Sequence, residues 1–285
     1  MFTLIENLED LNFLNLELLN KPFVAVDTEF RRTSKDNMKL SLMQLNDGEE
    51  TYIVDCILIE TPGSSCGFLF SKEVTKIFHS CKEDIDAINN WTNKGQALNN
   101  LYDTQLANAF LGGSFSIGYQ DLVFETLGVM IDKKETRSNW IKRPLRDSQL
   151  AYAASDVEFL LELYMSQIDQ LKNQKKLTSI KEELDLMISG ISKELEDHTC
   201  SRSSMKINKE EKKSLLNDCN RIVLEVAKSS AINPTLLFSK RHQKEFFELV
   251  MYMGTNEAFK FISKWRKDLL FSPLSFLFKK ISFNK

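Results

Sequence analysis

The sequence predicts an α/β domain followed by a smaller, all-helical one. Three observations carry this. A short apolar run, Phe23 to Val26, alternates too little for a half-buried strand and reads as one buried on both faces. A second strand pattern, Lys39 to Asn46, is joined through Asp47-Gly48 to a third at Thr51 to Cys56, a strong hairpin signal. From Lys212 onward the apolar spacing is helical throughout. A length of 285 residues accommodates one domain plus a smaller one.

Composition narrows the class. Hydrophobic residues make up 42% and charged residues 27%, ordinary values for a folded protein with a sizeable core. The five cysteines, Cys56, Cys66, Cys81, Cys200 and Cys219, are scattered without a CxxC pair, which argues against a disulfide framework or a zinc site. Met1 to Asp10 has no basic n-region and no apolar core, so no signal peptide is expected. No uncharged apolar stretch is long enough to span a bilayer. The expectation is a reduced cytoplasmic protein with no membrane partner. Net charge is −3 but unevenly placed. Residues 201–285 hold 17 Lys and Arg against 8 Asp and Glu, whereas residues 1–200 hold 20 against 32. This reads as an acidic body with a basic tail able to approach a polyanion, or simply as solvated helix faces.

In chain order, Leu4 to Leu19 carries apolar residues at helical spacing, a helix from about Leu8 that Asn20-Lys21-Pro22 breaks. The run Phe23-Val24-Ala25-Val26-Asp27-Thr28-Glu29-Phe30 follows. In extended chain, Asp27 and Glu29 point to the same side, so two carboxylates converge at the end of a buried strand. There, like charges repel and desolvation is costly. A cation between them relieves both costs, and hard oxygen ligands suit Mg²⁺ or Mn²⁺. On this spacing alone, a strand ending in solvated acids is an equal reading. Arg31 to Met38 is polar and loop-like, Thr61 to Cys66 reads as a loop, and Val74 to His79 as a further strand. Ser80 to Trp91 turns helical. Glu83, Asp84 and Asp86 near its start are favoured by the helix dipole. Asp84 also follows closely on a strand end, where ligands of open α/β sheets gather.

Asp103 reads as the cap of a helix over Leu106 to Leu111, ended by Gly112-Gly113. Leu122 to Leu127 is a short helix closed by Gly128, and Lys133 to Lys142 a charged loop around Trp140. Arg143-Pro144-Leu145 leads into a long helix from about Asp147 to Leu171. On it Tyr152 and Asp156 stand one turn apart on one face. Ala151, Ala153 and Ala154 around them are small, and Leu160, Leu161 and Leu163 continue as a packing face.

These segments together resemble the DEDDy group of 3′–5′ exonucleases, and within it the ribonuclease D family. The likeness runs from about Phe23 to Leu163 and rests on five stretches in order: VDTEF at 26–30, HSCKEDIDAI at 79–88, YDTQLANAFLG at 102–112, S-x-W-x-x-RPL at 138–145 and AYAASDVEFL at 151–160. Asn139 departs from the Asp common in similar proteins, and the loop after Arg32 lacks the usual aromatics. The resemblance implies a ribonuclease-H-like fold, a mixed sheet flanked by helices. It maps the family's acids onto Asp27, Glu29, Asp84 and Asp156, and its tyrosine onto Tyr152. It implies two divalent cations, Mg²⁺ or Mn²⁺, about 3.5–4 Å apart. Asp27 would bridge both, Glu29 and Asp156 would complete the site that activates water, and Asp84 would hold the second ion. Tyr152 would orient the water. Phe30, Gln44 and His79 are implied neighbours of the terminal nucleotide, each with a packing alternative.

The implied activity is hydrolysis of RNA from the 3′ end to nucleoside 5′-monophosphates, in maturation of tRNA or other stable RNA, by a monomer. The same fold acting on DNA, or a silent RNA-binding protein, are the alternatives. No polymerase region accompanies the nuclease pattern, which disfavours a proofreading role. The Asn233-Pro234-Thr235-Leu236-Leu237 and Lys264-Trp265-Arg266 stretches resemble the HRDC domain that follows the nuclease in ribonuclease D. Relatives commonly carry two such domains and one is legible here, so a closed ring around substrate is not expected. The expected domains are 1–175 (exonuclease), 176–209 (connecting helix and linker) and 210–285 (HRDC-like).

Overall fold

A computed structural model describes residues 2–34, 37–92, 97–131, 135, 138–189 and 207–279. Cys200, most of the Ser-rich basic stretch at 201–209, part of the loop around Trp140 and residues 280–285 lie outside the described residues. The chain forms two compact units, Met1–Ala107 with Ile117–Asn173, and Asn108–Ser116 with Gln174–Lys285.

The first unit is built on a six-stranded mixed sheet in the order β1-β4-β3-β2-β5-β6. The strands are β1 (Thr3–Ile5), β2 (Phe23–Ser34), β3 (Asn37–Asn46), β4 (Thr51–Asp55), β5 (Thr75–Phe78) and β6 (Leu101–Asp103). The helices are α1 (Leu8–Leu18), α2 (Gly67–Phe70), α3 (Lys82–Trp91), α4 (Thr104–Phe110, which runs into the second unit), α5 (Tyr119–Leu127), α6 (Asp147–Ser155) and α7 (Leu160–Asn173). This is the expected mixed sheet flanked by helices. Val24, Ala25 and Val26 are wholly buried, as a strand covered on both faces requires. At the β3–β4 turn, Gly48 takes φ +93°, and Asp47 Oδ1 accepts from the Glu49 and Glu50 amides.

Two expectations fail for tertiary reasons, and two short strands are present that the sequence did not announce. Arg31 to Ser34 is strand rather than loop, because β3 pairs with it through Ser34↔Asn37, with register shifts after Glu29 and Arg32. Thr3–Ile5 is an edge strand, parallel to β4, ahead of the helix expected from about Leu8. Residues 101–103 form a strand too short for a periodic signal, held against β5. The helix expected over 147–171 is two helices. Between them the Tyr119 hydroxyl donates to the Ser155 carbonyl (3.3 Å) and accepts from the Phe159 amide (3.0 Å), which satisfies backbone groups the break would orphan.

The second unit is helical: α8 (Leu177–Ser189), α9 (Lys209–Ser229), α10 (Pro234–Phe238), α11 (Lys240–Met253), α12 (Thr255–Ala258), a 3₁₀ turn (Phe259–Phe261) and α13 (Lys264–Phe278). Its core stacks Phe246 on Phe259 at 4.8 Å and on Phe238 at 5.6 Å between ring centres. Apolar spacing reads as helices over 256–269 and 274–283, and the structure partitions this stretch differently. The chain breaks before Lys264 and then runs helical through Pro273. Glu182 of α8 decides the break by accepting from the Lys264 and Trp265 amides, a cap that no local pattern announces. Asn108–Ser116 belongs to this unit because the Asn233 amide and side chain donate to the Ala109 and Gly113 carbonyls, and Lys176 Nζ to that of Phe110.

Candidate active site

The site is set by where strands stop. β5 pairs with β2 only from Phe23↔Thr75 to Ala25↔Ile77. Beyond Ala25 that edge of β2 has no neighbouring strand among the described residues, and Asp27-Thr28-Glu29 occupies it. In the ladder with β3, Asp27 stands opposite Gln44 and Glu29 opposite Leu42, so both acids are on one face as the alternation predicted. Thr28 projects to the other face, and its hydroxyl donates to Asp84 in the first turn of α3. One β-strand thus supplies two carboxyls and fixes a third.

Asp84 is buried at 7% exposure, while Asp27, Glu29 and Asp156 are half-buried. Asp156 is the C-cap of α6 rather than a mid-helix residue, yet it keeps its place one turn from Tyr152, whose hydroxyl hydrogen bonds to it. The electrostatics bind the four into one cluster. Burial first, then Asp84, Asp156 and Glu29, hold the Asp27 carboxyl well above the carboxylate range. Glu29 is pushed up to about 9 by burial and by Asp156 and Asp84. Asp84 rises to about 7 through burial, against the Thr28 hydrogen bond, and Asp156 to about 7 through burial, against Tyr152. Each acid resists ionisation beside the others, which is the condition a bound cation relieves.

Among the described residues no three His, Cys, Asp or Glu side chains close on a single point as a preformed cage would. The donor set nevertheless fits a hard divalent cation. It is all carboxylate oxygen, it holds no thiol or imidazole, and its members disfavour one another's charge.

Of the expected substrate neighbours, Phe30 is half-exposed beside Glu29. Gln44 is different: it shares the Asp27 face of the sheet, but it has no exposed surface and neither end of its side-chain amide has a hydrogen-bond partner among the described residues, so it is out of contact with solvent. His79 has both ring nitrogens engaged, with the Thr104 hydroxyl at 2.9 Å and the Ile117 carbonyl at 3.0 Å, and packs edge-on against Tyr119. Its placement is that of a packing residue.

Two further residues, Asp103 and Tyr119, complete the frame. Asp103 does cap α4, through Oδ1 with the Gln105 and Leu106 amides at 2.8 and 3.0 Å. It also accepts from the Ser80 amide (3.1 Å) and, through Oδ2, from the Cys81 amide (2.8 Å). Ser80 sits at φ +62°, in the left-handed region that a non-glycine residue enters at a cost of about 1–2 kcal/mol. Asp103 therefore pins the strained turn from which the Asp84 helix springs. Tyr119, across the break after α6, does the same for Asp156.

Comparison with known proteins bears on the family and the fold. The family model for 3′–5′ exonuclease matches residues 2–172. Ribonuclease D of Pseudomonas paraeruginosa is 35% identical over 171 residues, 60% of this chain and 45% of that protein. The chain spans about half the length of the curated relatives it matches. The crystal structure of Escherichia coli RNase D, described as an exoribonuclease involved in structured RNA processing, superposes with a TM-score of 0.60 at 24% identity. That match covers 100% of this chain and 76% of the other. Brucella melitensis NrnC with bound Mg²⁺ superposes with a TM-score of 0.57 at 20% identity, covering 72% of this chain and 98% of that one. At these identities the solved structures establish a common fold.

Proposed function

Because the chain belongs to the 3′–5′ exonuclease family, we propose that it is a metal-dependent 3′–5′ exoribonuclease of the ribonuclease D type. The observation that carries the proposal is the cluster of four acids, with a tyrosine on one of them, at the open edge of β2. The family is divalent-metal dependent. Here Asp27, Glu29, Asp84 and Asp156 would hold two cations, Mg²⁺ or Mn²⁺, and the relative solved with Mg²⁺ supports that choice. Bound divalent cations lower the pKa of water and stabilise charge on a phosphoryl group.

The chain's own residues supply placement. Asp27 and Glu29 present oxygens from one face of a rigid strand. Thr28 holds Asp84 in one orientation through its hydroxyl. Tyr152, tied to Asp156, directs its phenol oxygen at the attacking water. With an ordinary pKa near 10 a tyrosine is a poor base at neutral pH, so its part is orientation. Water attacks the 3′-terminal phosphodiester phosphorus, the bond to the 3′ oxygen of the preceding nucleotide breaks, and that oxygen leaves with a proton. The product is a nucleoside 5′-monophosphate.

The substrate is RNA with a single-stranded 3′ end, tRNA precursors included, held mainly by its backbone. The enzyme acts as a cytoplasmic monomer. Residues 1–175, apart from 108–116 and 174–175, which belong to the second compact unit, form the exonuclease domain, 176–209 the connection and 210–285 an HRDC-like domain whose net positive charge holds RNA.

The test uses 5′-labelled single-stranded RNA and its DNA counterpart with Mg²⁺, Mn²⁺ or EDTA. Metal-dependent shortening of RNA from the 3′ end is expected. Equal or better cutting of DNA would make the protein a DNA exonuclease, and tight binding without shortening would make it a silent RNA-binding protein. Asp27→Asn abolishes hydrolysis, and Tyr152→Phe slows it strongly while leaving Mn²⁺ binding intact by calorimetry. Full activity in either variant refutes the assignment.

A further inference from the structure

Tyr152 orients water only if its ring is held, and the hydrogen bond to Asp156 fixes one end of it. The other constraint comes from behind. The Trp140 ring lies 6.1 Å from the Tyr152 ring at an interplanar angle of 36°, packed with Leu42, Ile53 and Ala153. Trp140 is 4% exposed, yet it sits in 138–146, a stretch that is neither helix nor strand.

What holds it is Arg143. Its Nη1 donates to the Trp140 carbonyl at 2.6 Å, and the buried Ser41 hydroxyl donates to the same oxygen. The guanidinium is in turn forked onto Asp55 at the end of β4, Nε to Oδ2 at 2.5 Å and Nη2 to Oδ1 at 2.8 Å. Asp55 is 2% exposed, and its Oδ1 also accepts from the Ile57 and Leu58 amides at 2.9 and 3.1 Å. A planar fork on a carboxylate locked by backbone donors has one geometry. The chain of contacts runs from sheet to carboxylate, guanidinium, Trp140 carbonyl, indole ring and phenol.

We propose that Asp55, Arg143 and Trp140 are positioning residues for Tyr152, a clasp that sets the direction of its hydroxyl. The inference rests on the function proposed above, in which Tyr152 orients the attacking water. A displacement of about 1 Å at a reacting group can cost about 100-fold in rate. Asp27, Glu29 and Asp84 take no part in the hydrogen bonds of the clasp, and Asp156 meets it only through the Tyr152 hydroxyl, so it acts on turnover more than on metal binding.

The experiment measures kcat and KM on single-stranded RNA, and Mn²⁺ binding by calorimetry, for Arg143→Lys, Trp140→Leu and Trp140→Phe, each alone and combined with Tyr152→Phe. Circular dichroism checks folding. Arg143→Lys keeps the charge but loses the fork, and is expected to lower kcat about 10- to 100-fold, with KM and Mn²⁺ affinity unchanged. Trp140→Leu behaves alike, and Trp140→Phe recovers most of the loss by restoring an aromatic ring. In the Tyr152→Phe background each clasp variant loses less than about 3-fold further, because the group it positions is gone. Equal fold-losses in both backgrounds, or unchanged kcat in folded single variants, overturn the proposal. If Arg143→Lys does not fold, Ser41→Ala, which removes one donor to the Trp140 carbonyl and spares the ion pair, carries the same comparison. A wild-type protein without metal-dependent shortening of RNA overturns this inference and the function together. An active wild type with additive variants overturns the clasp alone.

Discussion

Asp103 is the most exposing point at which to perturb the site without touching a proposed metal ligand. It is 2% exposed and accepts four backbone N–H groups, three on Oδ1 and one on Oδ2. Asp103→Asn can keep the three Oδ1 bonds only by turning its NH₂ toward the Cys81 amide, donor against donor. The lost bond to a carboxylate is worth about 1.5–3 kcal/mol, and the stranded Cys81 N–H adds to it. We expect a loss of about 2–3 kcal/mol. Asp103→Ala also removes the α4 cap, worth about 1 kcal/mol, and strands the Ser80 amide, so about 4–5 kcal/mol is expected. At about 2–4 °C per kcal/mol for a unit of this size, the melting temperature falls by about 4–12 °C for Asn and about 8–20 °C for Ala. Urea unfolding followed by near- and far-ultraviolet circular dichroism measures the free energies. Mn²⁺ calorimetry on the folded Asn variant tests the consequence for Asp84, whose helix starts two residues after Ser80. Weakened binding is expected. A loss under about 1 kcal/mol in Asp103→Ala would refute the reasoning, since that is the scale of a solvated cap.

The other predictions concern separate elements. Tyr119→Phe removes both hydrogen bonds across the break between α6 and α7 and should cost about 1–3 kcal/mol in urea unfolding, with kcat lowered through Asp156; unchanged stability would mean the break is set elsewhere. Lys76, wholly buried with Nζ on the Ser71 and Val74 carbonyls, is held down to about 7 by burial. Its folded pKa lies below the unfolded 10.5, so the unfolded chain binds more protons between those values and stability rises with pH from about 7 toward 10.5. Between pH 7 and 9 the stability of the wild type should therefore gain about 1–2 kcal/mol on Lys76→Met, and parallel curves would refute this. Replacing the exposed Lys209, Lys213 and Lys244 together by Gln should flatten the dependence of log affinity for single-stranded RNA on log salt by about 2 if each meets a phosphate; an unchanged slope would remove this face from RNA binding.

The sequence by itself determined the buried strand, the hairpin, the pairing of Asp27 with Glu29 on one face and the one-turn spacing of Tyr152 and Asp156. These rest on periods of 2 and 3.6 residues, which apolar spacing and turn residues encode locally. It also placed Asp84 at a strand end, since a switch from strand to helix pattern marks the sheet edge. Tertiary structure alone decided the rest. The break at 156–159 depends on a phenol 36 residues earlier, the bend before Lys264 on a carboxylate 82 residues earlier, and the strand at 31–34 on a partner to pair with. The Thr28–Asp84 contact, the fourfold acceptor at Asp103 and the Arg143–Asp55 fork join residues 56, 22 to 23 and 88 positions apart. A single hydrogen bond between distant residues leaves no periodic trace, because its two ends are brought together by the packing of everything between them.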